Sequence, residues 1–279
     1  MDFPCEEGGA GGDQSPRLPP IGPIERPHMP LTDILQAVLI FFVGLAAAFI
    51  NIMAGGGSVL TLGTMMLLGL PAAVANGTNR IGLLVESISA AAAYKSERFS
   101  DVRESFRLAI WTVPGAALGS YFAISVSSLM FQRILAVVMI LVVITLFLPK
   151  SKSDGDGENK GTSRLFVYPA MLVVGLYGGF IQAGVGFLIM ASLRHILRLD
   201  LVRVNMHKIY IVLIYTLPVL LIFGLTGNIH WVWAACLSAG MAVGAWLSVK
   251  ISIKRGEKVV KAVLCVAILL MAAKLLSTW

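Results

Sequence analysis

Ten apolar stretches recur along this 279-residue sequence, at about 32–50, 58–70, 78–94, 106–124, 130–149, 166–183, 185–193, 203–224, 229–250 and 258–277. Several reach the roughly 20 residues that a helix needs to cross the hydrocarbon core of a bilayer. Backbone polar groups in lipid must be satisfied internally, so spanning segments are helices or closed barrels. These runs are rich in Leu, Ala, Val and Gly, nearly uncharged, and lack the alternation of barrel strands. With 57% hydrophobic and 13% charged residues, the chain reads as an all-α polytopic membrane protein.

Residues 1–30 hold most of the twelve prolines, many glycines and no apolar core of signal-peptide length, and read as a disordered leader. Cys5, Cys236 and Cys265 have no paired spacing, so neither a disulfide framework nor a zinc knuckle is implied. No cofactor and no metal are called for. The net charge of +7 does not point to nucleic acid, because the basic residues flank apolar runs, where they orient a membrane protein.

A polar linker, residues 150–164, separates two stretches, 31–149 and 165–279, that resemble each other. Gly44-Leu45 through Phe49-Ile50-Asn51 reads against Gly175-Leu176 through Phe180-Ile181-Gln182. Each is followed by a glycine cluster, Gly55-Gly56-Gly57 or Gly184-Val185-Gly186. Leu70 to Asn76 parallels Leu199 to Asn205, and Gly115 to Gly119 parallels Gly240 to Gly244. The offsets, 131, 129 and 125 residues, are nearly constant and in the same order.

Loop charges set the relation between the stretches. Basic residues cluster at 95–107, 150–164, 194–203 and 250–261, whereas loops 71–77, 125–132 and 225–229 carry none. The positive-inside rule makes the first group, the linker included, cytoplasmic. Equivalent loops then fall on opposite faces: basic 95–107 matches neutral 225–229, basic 194–203 matches neutral 71–75, and neutral 125–132 matches basic 250–258. The expected architecture is therefore two inverted repeats, each a re-entrant or broken helical hairpin plus three transmembrane helices, as in many secondary transporters. The 29 residues from 165 to 194 must enter and leave on one side, because two crossings need about 40 residues.

Irregular backbone at membrane depth is tolerated where it lines a cavity or is buried in protein, which directs attention to the hairpin tips. At Gly55, Gly56, Gly57 and Ser58 the helix is expected to break and restart, turning free N–H groups toward an anion. Asn51, Ser58 and Thr61 add neutral donors, and Gln182, Gly184 and Gly186 repeat the pattern. Asn76 and Asn205 form a second equivalent pair, followed by the cations Arg80 and Lys208, which either neutralise an anion or snorkel to headgroups. Glu86, the one acidic residue well inside a span, is a candidate coupling group, with an ion pair to Arg80 or Lys208 as the structural alternative. Pro114 and Pro218 are expected to kink their helices. Gly115/Gly119 and Gly240/Gly244 are expected to pack helices closely, between the halves or between two copies in a homodimer. His28, His195, His207 and His230 lie in the leader or near span ends, where solvated or interfacial roles are expected.

No His-Glu-x-x-His, no Gly-x-Ser-x-Gly elbow and no paired intramembrane aspartates occur, so an intramembrane enzyme is not the reading. With Gly44 to Asn51, the glycine run 55–57, Pro71 to Gly77 and Pro114-Gly115 to Gly119, the chain resembles the TauE/SafE family of sulfite exporters, also called the toluene-sulfonate uptake permease family. The resemblance covers about residues 32–277. It implies a multi-pass carrier of the cell inner (plasma) membrane for sulfite, sulfonates or sulfoacetate, commonly an exporter driven by an ion gradient. An anion channel, or an uptake permease for another small organic anion, is the rival reading.

Overall fold

The computed structural model describes residues 31–98, 101–127, 129–131, 133–134, 166–197 and 199–255. The leader, most of the run 130–149, the linker and the last apolar run lie outside these residues. Regular structure among the described residues is helical: α1 (Leu31–Ala54), α2 (Gly57–Leu67), α3 (Ala72–Ser96), α4 (Val102–Ile110), α5 (Thr112–Ser125), α6 (Val167–Phe180), α7 (Val185–Leu197), α8 (Leu201–Leu225) and α9 (Trp231–Arg255).

Three of these are long and apolar enough to cross a bilayer: α1 from Asp33, α8 and α9. The pair α4 and α5 makes a fourth if taken as one span bent by 48°. Pro114 accounts for the bend. Its ring clashes with the carbonyl four residues back, at Ile110, where α4 ends. Thr112 Oγ1 donates to Ala109 O at 2.6 Å and caps one carbonyl at the break. Pro218, by contrast, sits inside α8, which continues through it to Leu225.

Beside a buried apolar core, large apolar side chains face outward and polar ones are buried, unlike the usual surface of a water-soluble domain. Leu35, Phe42, Leu221 and Trp231 are among many large apolar side chains left exposed, whereas Asn76, Asn79, Arg80, Asn205 and Lys208 are buried. An outer surface of this kind is what hydrocarbon solvates, and an inward polar row must find its partners within the protein.

Close helix packing uses the glycines singled out above, and it runs within the chain. A Cβ at Gly240 or Gly244 of α9 would collide with Phe41 O or Leu45 O of α1. A Cβ at Gly115 or Gly119 of α5 would collide with Leu172 O or Leu176 O of α6. Conversely, a Cβ at Gly44 would lie 2.7 Å from Leu237 O, and one at Gly175 would collide with Thr112 O. The offset of 131 that relates Gly44 to Gly175 also relates Phe41 to Leu172 and Leu45 to Leu176, so the two contacts correspond residue by residue. Replacing Gly244 by leucine should force α9 off α1 at a cost of about 1–3 kcal/mol or more. Thermal unfolding of the purified protein measures this, and an unchanged melting temperature would show that the contact is not formed.

The opening segment of the C-terminal part is broken. At 1.5 Å per residue, α6 (14 residues) and α7 (13 residues) each reach about 20 Å, short of the roughly 30 Å core. The α1/α2 unit is also broken, but unevenly: α1 is of spanning length, and α2, with 11 residues, reaches about 16 Å.

Candidate anion site at two helix breaks

Glycine sets both breaks. After Ala54, Gly55 takes φ +89°, a left-handed value that ends a helix, and its N–H closes on Asn51 O at 2.8 Å. Gly56 precedes the new helix, which starts at Gly57 without a side-chain cap. No side chain fits at Gly57, where a Cβ would collide with Ala47 O. In the second break Gln182 (φ +67°) and Gly184 (φ +74°) are both left-handed. For a non-glycine residue such a conformation is strained and needs local support. Tyr177 supplies some, its hydroxyl donating to Ala183 O.

The breaks meet. A Cβ on Gly55 would lie 2.5 Å from the carbonyl carbon of Gly186 and 2.8 Å from Phe187 N, so the two tips touch backbone to backbone. Asn51, Ser58, Asn76, Arg80, Glu86, Gln182, Asn205 and Lys208 are all buried around this contact or beside it, as are the glycines of both tips.

Each helix that stops at a break has its terminal carbonyls capped from the other part of the chain. Lys208 Nζ on α8 donates to Asn51 O at 2.7 Å and Ile52 O at 2.8 Å, in the last turn of α1, and to Asn205 Oδ1 at 2.9 Å. Asn205 Nδ2 reaches Met53 O at 3.5 Å. On the opposite side Arg80 of α3 donates to Gly179 O at 2.8 Å, and Asn76 Nδ2 to Phe180 O at 3.0 Å, in the last turn of α6. A cation and an amide thus close each C-terminal end, where the helix dipole favours positive charge. Three oxygen acceptors surround Lys208 Nζ, with Met190 Sδ at 3.8 Å, so its donors are spent on the protein. Both cations are buried, and neither snorkels.

Two side-chain clusters hold the break amides. Gln182 Oε1 accepts from Arg80 and from the Tyr215 hydroxyl, the latter at 2.9 Å. Asn51 Nδ2 donates to Glu86 Oε1 at 2.7 Å. Glu86 is therefore bound to an amide rather than paired in contact with Arg80 or Lys208, because its helical register aims it at α1. Several buried polar atoms of α3 have no partner among the described residues: Asn76 Oδ1, Asn79 Nδ2, Arg80 Nε, Glu86 Oε2 and Ser87 Oγ. Such a row on one helix face is costly unless something else satisfies it.

Asn79 and Tyr215 belong to this constellation and were not singled out as binding residues from the sequence. Thr61 Oγ1 donates to Asn79 Oδ1 at 2.6 Å and fixes α2 to α3. The signal was present, since Asn76, Asn79, Arg80, Glu86 and Ser87 follow the three- and four-residue spacing of one helix face. His207 departs from its expected solvated role: it is buried, and its Nδ1 lies 2.8 Å from Ser105 Oγ. Because Ser105 gives its proton to Asp101 O, His207 Nδ1 is the donor in that pair.

A helical chain with an apolar exterior, several spanning helices and a buried polar centre at broken helices is a multi-pass membrane protein of transporter type. A family profile described as "Sulfite exporter TauE/SafE" matches residues 40–275. The chain belongs to the TauE/SafE sulfite exporter family, a family of transporters rather than enzymes. It is similar to a "Probable membrane transporter protein" of Haemophilus influenzae, with 27% identity over 85% of this chain and 93% of that one. It is 24% identical to the "Probable membrane transporter protein ORF9" of Sinorhizobium sp, covering 85% and 91% of the two chains. For the "Probable membrane transporter protein YfcA" of Escherichia coli K12 the identity is 25%, over 88% and 91%. No solved structure matches the chain.

Proposed function

We propose that this membrane transporter is a secondary carrier, working as an exporter in the cell inner membrane, of small sulfur-containing anions such as sulfite, sulfonates or sulfoacetate. The anion is held near the bilayer midplane between the two helix breaks. The observation that carries this reading is the division of labour at each break. The C-terminal carbonyls, which would repel an anion, are covered by Lys208 with Asn205 or by Arg80 with Asn76. In the first turns of the restarted helices α2 and α7, Val59, Val185 and Phe187 N–H close on Gly56 O, Gln182 O and Gly184 O, and the other first-turn N–H groups are the ones offered to a ligand. A sulfonate or sulfite group, a compact set of acceptor oxygens, suits these N–H groups and the field of two buried cations.

The halves act as inverted repeats, each opening with a hairpin, the second re-entrant. Corresponding glycine contacts of α1 with α9 and of α6 with α5, and corresponding capping by Lys208 and Arg80, support this reading. Two pseudo-symmetric units around one site can expose it to either side in turn. The test is thermal stabilisation of the purified protein by sulfite and methanesulfonate, compared with chloride and acetate of the same cation. The first two are expected to raise the melting temperature and the last two to leave it alone. Equal behaviour of all four salts rejects the cargo, and saturable counter-exchange in proteoliposomes separates a carrier from a channel.

A further inference from the structure

We infer that Tyr215 and Glu86 are positioning residues that decide which end of each break amide faces the anion, and that the anion binds together with a proton taken up at Glu86. This rests on the anion site proposed above. Glu86 and Tyr215 correspond at the offset of 129 that relates Asn76 to Asn205, and each touches the amide at the break of its own half.

Their chemistry is opposite. Tyr215 and Arg80 both donate to Gln182 Oε1, so Gln182 offers its other end, the Nε2 protons, which no hydrogen bond among the described residues uses. A donor facing the site suits an anion. Glu86 instead accepts from Asn51 Nδ2, so Asn51 offers its carbonyl oxygen, which repels an anion. A protonated Glu86 reverses this. Its O–H donates to Asn51 Oδ1, the amide turns over, and Nδ2 faces the anion. The proton comes from water, and no other bond forms or breaks. The oxygen that takes the proton is Oε1, which faces Asn51 at 2.7 Å.

The surroundings act in the same sense. α8 presents Lys208 and Tyr215 to this region, and α3 itself carries Arg80. α1 contributes Asn51, α2 has no titratable residue, and α9 meets α3 through Leu237 and Met241, its titratable groups being Cys236 and, toward its end, Lys250, Lys254 and Arg255. The charge that acts on Glu86 is Lys208. Protonating Glu86 raises the net charge of the site by one as it frees the amide donor.

The experiment is calorimetric binding of methanesulfonate, which stays ionised throughout, to the full chain between about pH 5 and pH 10. In the wild type, affinity should fall about tenfold per pH unit once Glu86 is deprotonated, with about one proton taken up per anion. Glu86→Gln has no proton to exchange at this position, so its affinity should not change with pH across the range. Tyr215→Phe should bind several-fold more weakly with the wild-type pH slope, and Asn51→Ala should bind weakly with a reduced slope. A pH slope that persists in Glu86→Gln overturns the inference; if that variant does not fold, an undiminished slope in Asn51→Ala does so. Wild-type binding that does not vary with pH overturns it while sparing the anion site, whereas no binding at any pH overturns both.

Discussion

Substituting Lys208 by methionine, which keeps the length and removes the charge, is expected to abolish transport and to lower stability by about 3–5 kcal/mol, the range for breaking a buried ionic contact. The loss has two sources. Ile52 O would lose the donor at 2.8 Å in the last turn of α1, and a stranded buried acceptor costs about 1–3 kcal/mol, whereas Asn51 O would lose its 2.7 Å contact and keep Gly55 N–H. Asn205 would lose the partner that orients it, loosening the hold of α8 on the break. Arginine is not expected to rescue, because a planar fork cannot place three donors around the point that one ammonium occupies. The measurements are the melting temperature of the purified variant and its anion uptake in proteoliposomes. A Lys208→Met protein with wild-type stability would mean that the α1 carbonyls find other donors and that the capping account is wrong.

The second large effect is expected at Gly55. Alanine there meets a left-handed φ of +89° that costs roughly 1–2 kcal/mol for a residue with a Cβ, and its methyl would stand 2.5 Å from the Gly186 carbonyl carbon. The obstruction is backbone, so no rotamer change relieves it and the two tips must separate. Transport should fall to background with a stability loss of a few kcal/mol. Gly63 of α2 is the control, since a Cβ there meets nothing within 4 Å, and Gly63→Ala should leave the melting temperature almost unchanged or slightly raised. If Gly55→Ala transports as well as Gly63→Ala, close contact of the two breaks is not needed for function.

Some of this site was legible because its cause is local. Glycine at 55–57, 184 and 186 permits left-handed backbone, which Gly55 and Gly184 adopt, and both breaks occur at those clusters. Pro114 likewise ends α4, its ring excluding the carbonyl at Ile110, although Pro218 is accommodated inside α8. The polar residues of α3 fall on one face by helical periodicity, so their burial as a row could be anticipated. Glu86 shows where legibility stops. Sequence offers it a cation, and the fold gives it Asn51, 35 positions away, because packing of α1 against α3 sets which groups approach within hydrogen-bond distance.

By itself, then, the sequence determined the solvent and the breaks: bilayer-length apolar runs require helices with satisfied backbone, and glycine and proline interrupt them at named positions. Only the tertiary structure decided who seals the interrupted ends. The donors that reach α1 and α6 come from helices 99 to 157 residues distant in the chain. Hydrogen bonding acts over about 3 Å, and no local pattern encodes which distant side chain arrives there.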